Sequence, residues 1–260
     1  MLIGDTAGRL ASAVREARVL SGVLRRLDPV REVYWRPRSI ERTRPTAAAL
    51  VDLAMEAALG AEPDRPSSRV RQIEGMSGQR YRTFINRLIG LMGSQARYLE
   101  IGAWKGSTLC AAIENNNGQA VCIDNWSQFG GPKHEFLSNV SAVRTKVSLR
   151  VIEGDFRGVE FDTLGLFNVF LFDGPHEEHD QYDGLKLAQP ALASPHVLIV
   201  DDWNWRRVRI GTFRAIHDCG WRIAHSHEIR TTQDDSHAVT GGSASDWHNG
   251  YFIGLLEKGD

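Results

Sequence analysis

The sequence predicts an α/β protein: a mostly parallel sheet with helices on both faces, preceded by a helical extension. Three observations predict it. From residue 69 onward, short apolar runs alternate with helix-periodic segments, the pattern of strands buried on both faces. Acids stand at or just past the ends of those runs, at Glu100, Asp124, Asp155, Asp173, Asp201 and Asp202. The first run passes into a glycine-spaced turn, Gly102-Ala-Trp-Lys-Gly106-Ser107, that opens a helix. Ligands of such sheets bind beyond the carboxyl ends of the strands. A purely structural sequence has no reason to put an acid at each of these places.

The elements follow in order. Residues 7–27 carry Leu10, Val14, Ala17, Leu20 and Leu24 on one helical face and Arg on the other. Asp28-Pro29 ends that segment, and 35–45 reads as a linker. Thr46 caps a second helix that runs to about Leu59 and stops at Gly60. Residues 61–68 form a loop, so 1–68 is the helical N-terminal extension and 69–260 the main domain. Within that domain a helix over 78–92 precedes a strand over 98–101, and a helix over 107–115 follows it. A turn over 115–118 leads to a strand over 120–124, a helix over 133–145 and a strand over 149–153. Then come a strand over 167–173, a helix over 178–190, a strand over 195–201 and a helix over 206–219. Strands over 221–229 and 251–256, joined by a long polar loop, close the chain as an antiparallel pair.

The totals narrow the classes of function. The chain has 260 residues, 42% of them apolar, enough for one large domain with an extension. A net charge of -1 gives no global drive toward nucleic acid. Residues 1–45 do hold ten Arg against five acids, a solvated helical face or a contact for an anionic partner. Cys110, Cys122 and Cys219 are odd in number and widely spaced, which fits neither a disulfide framework nor a zinc pattern. No apolar run approaches the roughly 20 residues that span a bilayer, and the N-terminus lacks a secretory signal, so the expected location is cytoplasmic.

The first turn and the next two strand ends read as a cofactor site. Glycine at 102 and 106 lets backbone approach a ligand closely. The order lacks the Gly-x-Gly-x-x-Gly fingerprint and the P-loop lysine, which favours a ligand without pyrophosphate. Asp124, ending the second strand, can accept from two ribose hydroxyls. Asp155 can take an adenine amino proton, with Phe156 packing near the ring. Met76, just before the first helix of the domain, either folds over the cofactor or packs that helix.

On these residues the chain resembles the class I S-adenosylmethionine-dependent methyltransferases. The motifs are Glu100-Ile-Gly102-x-x-x-Gly106-Ser107, Asp124, Gly154-Asp155-Phe156 and Phe172-Asp173-Gly174. The resemblance implies a Rossmann-like seven-stranded sheet whose seventh strand is antiparallel and inserts beside the fifth. It implies S-adenosylmethionine as cofactor, with Gly102 against the methionine moiety and Asp124 on ribose. Glu100, Ser107, Asp155, Phe156, Asp173 and Met76 complete the expected cofactor set.

A second cluster reads as a metal site. Asp173 ends the fourth strand and Asp201-Asp202 the fifth, and neighbouring strand ends bring the three carboxylates together. Close carboxylates repel unless a cation neutralises them. Oxygen ligands suit Mg²⁺, Mn²⁺ or Ca²⁺. Such a cation can hold two vicinal substrate hydroxyls and lower the pKa of one. His176, in Asp173-Gly-Pro-His176, is the candidate base, or else a helix N-terminal residue with a local hydrogen bond. Asp201-Asp202 can also be read as a strand end and helix cap.

This spacing looks like the Mg²⁺-dependent sugar O-methyltransferases of the macrocin and mycinamicin type. In that group the three aspartates hold the metal, and in its mycinamicin members the histidine is the proposed base. Catechol-type enzymes share the metal logic with a lysine base, and no lysine occupies 173–176 here. Expected substrate walls are Trp126 to Gly131, Trp203-Asn-Trp205 and the loop 230–250, a lid or a surface loop. The expected partner is a small hydroxylated molecule, a sugar or glycosylated natural product. The N-terminal helix offers a face to a second subunit. Two rival readings stand: a hydroxylase-like oxidoreductase on the same fold, and a non-catalytic cofactor-binding protein.

Overall fold

The structure, a computed structural model, describes residues 45–60 and 65–259. The expected N-terminal helix, its Arg-rich face and the linker lie outside the described residues. The described residues belong to one compact unit, Arg44–Asp260. It contains helix α1 (Ala47–Leu59), which the sequence places in the extension. Thr46 Oγ1 accepts from Ala49 N at 3.2 Å and caps α1. Val51, Ala54, Met55 and Ala58 form its buried face.

A short helix α2 (Ser68–Arg71) leads to α3 (Gln79–Met92). There follow β1 (Arg97–Ile101), α4 (Ser107–Ile113), β2 (Asn117–Asp124), α5 (Lys133–Ser141) and β3 (Lys146–Glu153). The second half runs β4 (Phe167–Phe172), α6 (Glu178–Ala188), β5 (Leu192–Val200), α7 (Arg206–Asp218), β6 (Trp221–Ile229) and β7 (Tyr251–Lys258). Every strand and helix expected in the main domain is present.

The seven strands lie in the order β3-β2-β1-β4-β5-β7-β6. β1 to β5 pair in parallel, and β7 inserts antiparallel between β5 and β6. This is the Rossmann-like sheet the sequence predicts. The central strands are buried on both faces because helices cover both. One core holds Val169, Leu171, Val197, Ile199 and Ile253 against α1, α3 and α4. The other holds Leu99, Ile101, Phe170, Phe172, Leu198 and Val200 against α6 and α7. β3 is different: as an edge strand it alternates exposed and half-buried residues rather than running continuously apolar.

Boundaries shift where local chemistry decides. β2 starts at Asn117, inside the expected turn, because Gly118 and Gln119 already pair with β3 and β1. β5 starts at Leu192, ahead of Pro195, and the register against β4 slips between Phe167 and Val169, which accommodates the missing N–H. Among the described residues, no helix is long and apolar enough to cross a membrane.

Candidate active site

A cleft opens at the carboxyl ends of β1, β2 and β4. Ile101, Gly102 and Ile123 line it from the strand ends, and Met76 and Ser77 from the segment before α3. The cradle depends on glycine. Gly102 has φ +87, and a Cβ there would stand 1.9 Å from the Asp173 carbonyl oxygen. Gly106 caps α4 in the left-handed region with φ +82.

Asp124 lines the cleft and is tied to its loops. Its Oδ2 accepts from Ala103 N and Trp104 N at 2.7 and 2.8 Å, and its Oδ1 from Trp126 N at 2.6 Å. One carboxylate thus fixes both the first turn and the start of the aromatic loop. Oδ2 is filled by its two donors, while Oδ1 keeps one lone pair toward a ligand. Ser107 also lines the cleft, with its Oγ 3.1 Å from Ser77 Oγ. The segment carrying Met76 and Ser77 is set by Arg82, a fully buried guanidinium. It donates to Ser77 Oγ at 3.0 Å and to the carbonyls of Arg71 and Ile73 at 2.9 and 2.8 Å. Burial pushes this guanidinium down to about 10.

Asp155 and Phe156 stand on the wall beyond β3. Asp155 Oδ1 accepts from Arg157 N, and the Phe156 ring meets Phe172 edge-on at 5.6 Å. Glu100 is placed differently. It is fully buried, is not among the residues lining the cleft, and accepts from Tyr98 Oη at 2.7 Å and from Thr108 Oγ1. Burial pushes its carboxyl up to about 7. Its place is beneath the first glycine turn, joining β1 to α4.

Asp173, Asp201 and Asp202 come together at the adjoining ends of β4 and β5, with one carboxylate oxygen of each within 4.8 Å of the others. Asp173 lines the cleft, while Asp201 and Asp202 are buried behind it. Burial and then the neighbouring carboxylates push Asp173 and Asp201 well above the usual range. Such crowding is relieved by a bound proton or a cation. An all-oxygen donor set of this kind fits a hard divalent ion such as Mg²⁺. Asp202 holds φ +56, a strained backbone for a non-glycine residue at a strand end.

His176 lies in the same cluster, its Nδ1 3.0 Å from Asp202 Oδ2 and its ring 5.2 Å from Trp205. A donated Nδ1–H fixes the tautomer and leaves Nε2 as a proton acceptor. Asp202 Oδ1 accepts from Asn249 Nδ2 at 2.7 Å. His237 Nδ1 and His248 Nε2 stand 3.5 and 3.4 Å from the same Asn249 nitrogen. Burial pushes His248 below the usual imidazole value. Asn249, His237 and His248 are functional candidates that sequence reasoning missed; they come from a long loop without periodicity.

The aromatic walls divide. Trp126 and Phe129 line the cleft, joined there by Trp104. Trp205 packs between His176 and His237. Trp203 is fully buried instead and donates to Glu228 at 3.0 Å, because its position points into the core. The loop 230–250 is pinned rather than loose. Thr231 N donates to Asn204 Oδ1 at 2.8 Å, and Gln79 N and Arg80 N at the start of α3 donate to the Ser245 and Asp246 carbonyls.

Residues 99–203 match the model of a family described as a methyltransferase domain. No curated protein matches the chain significantly. Solved structures resemble it distantly. TrmN from Thermus thermophilus gives a TM-score of 0.43 at 16% identity, over 68% of this chain and 48% of that one. This chain thus spans about half of that protein's length. A putative RNA methyltransferase from Pyrococcus horikoshii gives 0.47 at 14% identity, over 80% and 97%. An O-methyltransferase from Bacillus cereus, in complex with SAH, gives 0.45 at 14% identity, over 81% and 90%. The matched segment begins within β1 and ends just past the Asp201-Asp202 pair, so it takes in the cradle, Asp124 and all three clustered aspartates. The match covers less than half of the chain.

Proposed function

We propose that the protein is an S-adenosylmethionine-dependent O-methyltransferase. It acts, with a divalent cation, on a hydroxyl of a small molecule, a sugar or a glycosylated natural product. One observation carries the reading: three aspartates from neighbouring strand ends converge at the edge of a glycine-lined cleft, with His176 bonded to one of them.

The chain's own residues divide the work. Gly102 admits the cofactor to the cleft, Asp124 faces its ribose, and Asp155 and Phe156 face its adenine. Ser107 and Met76 flank the donor end, where Asp173 joins the two halves. Asp173, Asp201 and Asp202 hold the cation. When bound, that cation acidifies and orients the acceptor hydroxyl. His176 Nε2 receives the hydroxyl proton as the oxygen attacks, while Asp202 stabilises the imidazolium through Nδ1. Holding donor and acceptor in line supplies the remaining rate enhancement.

The test is a calorimetric titration of S-adenosylhomocysteine, once with Mg²⁺ and once with a chelator. Micromolar binding that changes with the metal is expected. Absence of binding in both conditions would overturn the reading.

A further inference from the structure

A second cluster lies away from the cleft, on the other side of β7. Asp52 of α1 and His225 and His227 of β6 bring one ligand atom each within 4.8 Å of the others. His225 Nε2 and His227 Nε2 stand 2.7 and 2.9 Å from the same oxygen, Asp52 Oδ1. The two rings are perpendicular, at 89° with centroids 5.0 Å apart, so they converge through their Nε2 atoms rather than stacking.

This convergence is built by the backbone. Ile223 pairs with Leu256 of β7, but His225 pairs with Leu255, so the register shifts by one residue at Ala224. Paired residues share a face of the sheet. Leu256 packs in the core under α6 and α7, whereas Leu255 packs in the core under α1. The bulge therefore turns His225 and His227 from one face to the other, onto α1. Glu228, next to His227 on the same strand, is left on the opposite face, where it accepts from Trp203. Asp52 meets the two histidines from a helix whose other charged residue, Glu56, is exposed. All three side chains are partly accessible, at 40%, 28% and 12%.

We propose that Asp52, His225 and His227 form a second metal site, for a borderline divalent cation of the zinc type. Two imidazoles and one carboxylate suit such an ion and suit Mg²⁺ poorly. Three protein donors leave a fourth tetrahedral position open. The site would tie α1 to the edge strand of the sheet, adding metal affinity to the stability of that edge. It is independent of the aspartate cluster in residues, in donor chemistry and in place.

The experiment titrates Zn²⁺ into the full chain in excess Mg²⁺, comparing wild type with His225→Gln/His227→Gln. Glutamine keeps a hydrogen-bond donor toward Asp52, so a purely structural clamp survives while metal ligation does not. Circular dichroism checks that the variant folds, and Asp52→Asn serves as the second variant if it does not. Wild type is expected to bind one more Zn²⁺ than the variant, whose affinity at this site falls by more than about a hundredfold, beyond the cost of losing an outer-sphere partner. Asp202→Asn is expected to keep that extra ion, which separates this site from the cleft. Equal Zn²⁺ stoichiometry and affinity in wild type and variant, including no binding by either, would overturn the proposal.

Discussion

Over β1 to β3 each acid is met by donors of the chain; over β4 and β5 three acids meet one another. Asp124 takes three backbone N–H groups, Asp155 takes one, and Glu100 takes two hydroxyls. Asp201 and Asp202 also have donors, from Asp202 N and from Asn249 Nδ2, yet burial and then the neighbouring carboxylates push Asp173 and Asp201 well up. A carboxylate supplied with hydrogen bonds builds a loop and keeps lone pairs for a neutral ligand. Carboxylates crowded against one another are poised for a cation. One cleft thus has an end suited to the hydroxyls and amines of a nucleoside and an end suited to charge.

The largest break in this contrast is Asp202→Asn. It is expected to abolish metal-dependent turnover while leaving S-adenosylhomocysteine affinity unchanged, read by a methyl-transfer assay beside calorimetry. Unchanged turnover would remove the metal assignment. Next comes His176→Ala, expected to lower turnover by about 10²–10⁴-fold with Mg²⁺ affinity kept. Equal loss of Mg²⁺ binding would make His176 a ligand instead. At the other end, Asp124→Ala removes a charged acceptor from three N–H groups. It is expected to weaken S-adenosylhomocysteine by about 3 kcal/mol, near a hundredfold, without changing Mg²⁺ affinity.

The smallest effect tests the buried exception, Glu100. Its carboxyl is raised from 4.5 to about 7 in the folded chain. The folded form holds the proton more tightly, so this stabilisation is full below pH 4.5 and is lost as pH rises through 7. Between pH 5 and 7 wild type is expected to lose about 2 kcal/mol relative to Glu100→Gln, measured as denaturant midpoints across that range. Parallel curves for the two proteins would show that Glu100 stays ionised in the fold.

Acids at strand ends were legible because a parallel sheet places consecutive strand ends side by side. Asp173 and Asp201-Asp202 needed only the order β4-β5 to meet. Glu100 shows the limit of that rule: one residue short of the strand end, it points between β1 and α4 and never reaches the cleft. Trp203 and Trp205 show the same limit, since one faces the core and the other the cluster. Asn249, His237 and His248 were hidden in a segment whose shape is set by scattered hydrogen bonds rather than by a repeat. The pair His225 and His227 was hidden more deeply. Alternation says that they share a face, and only the slip at Ala224 says which.

The loop 230–250 carries a consequence for divergence. Its ends and second half are moored: Thr231 and Thr232 to Asn204, Gly242 to His248, Ser245 and Asp246 to α3, and Asn249 to Asp202. Its tip is held through Ala238 N, which donates to Asn249 Oδ1 at 2.9 Å, while Val239 beside it is 99% exposed. A substitution at Val239 therefore meets solvent, whereas one at Asn249 takes a donor away from Asp202.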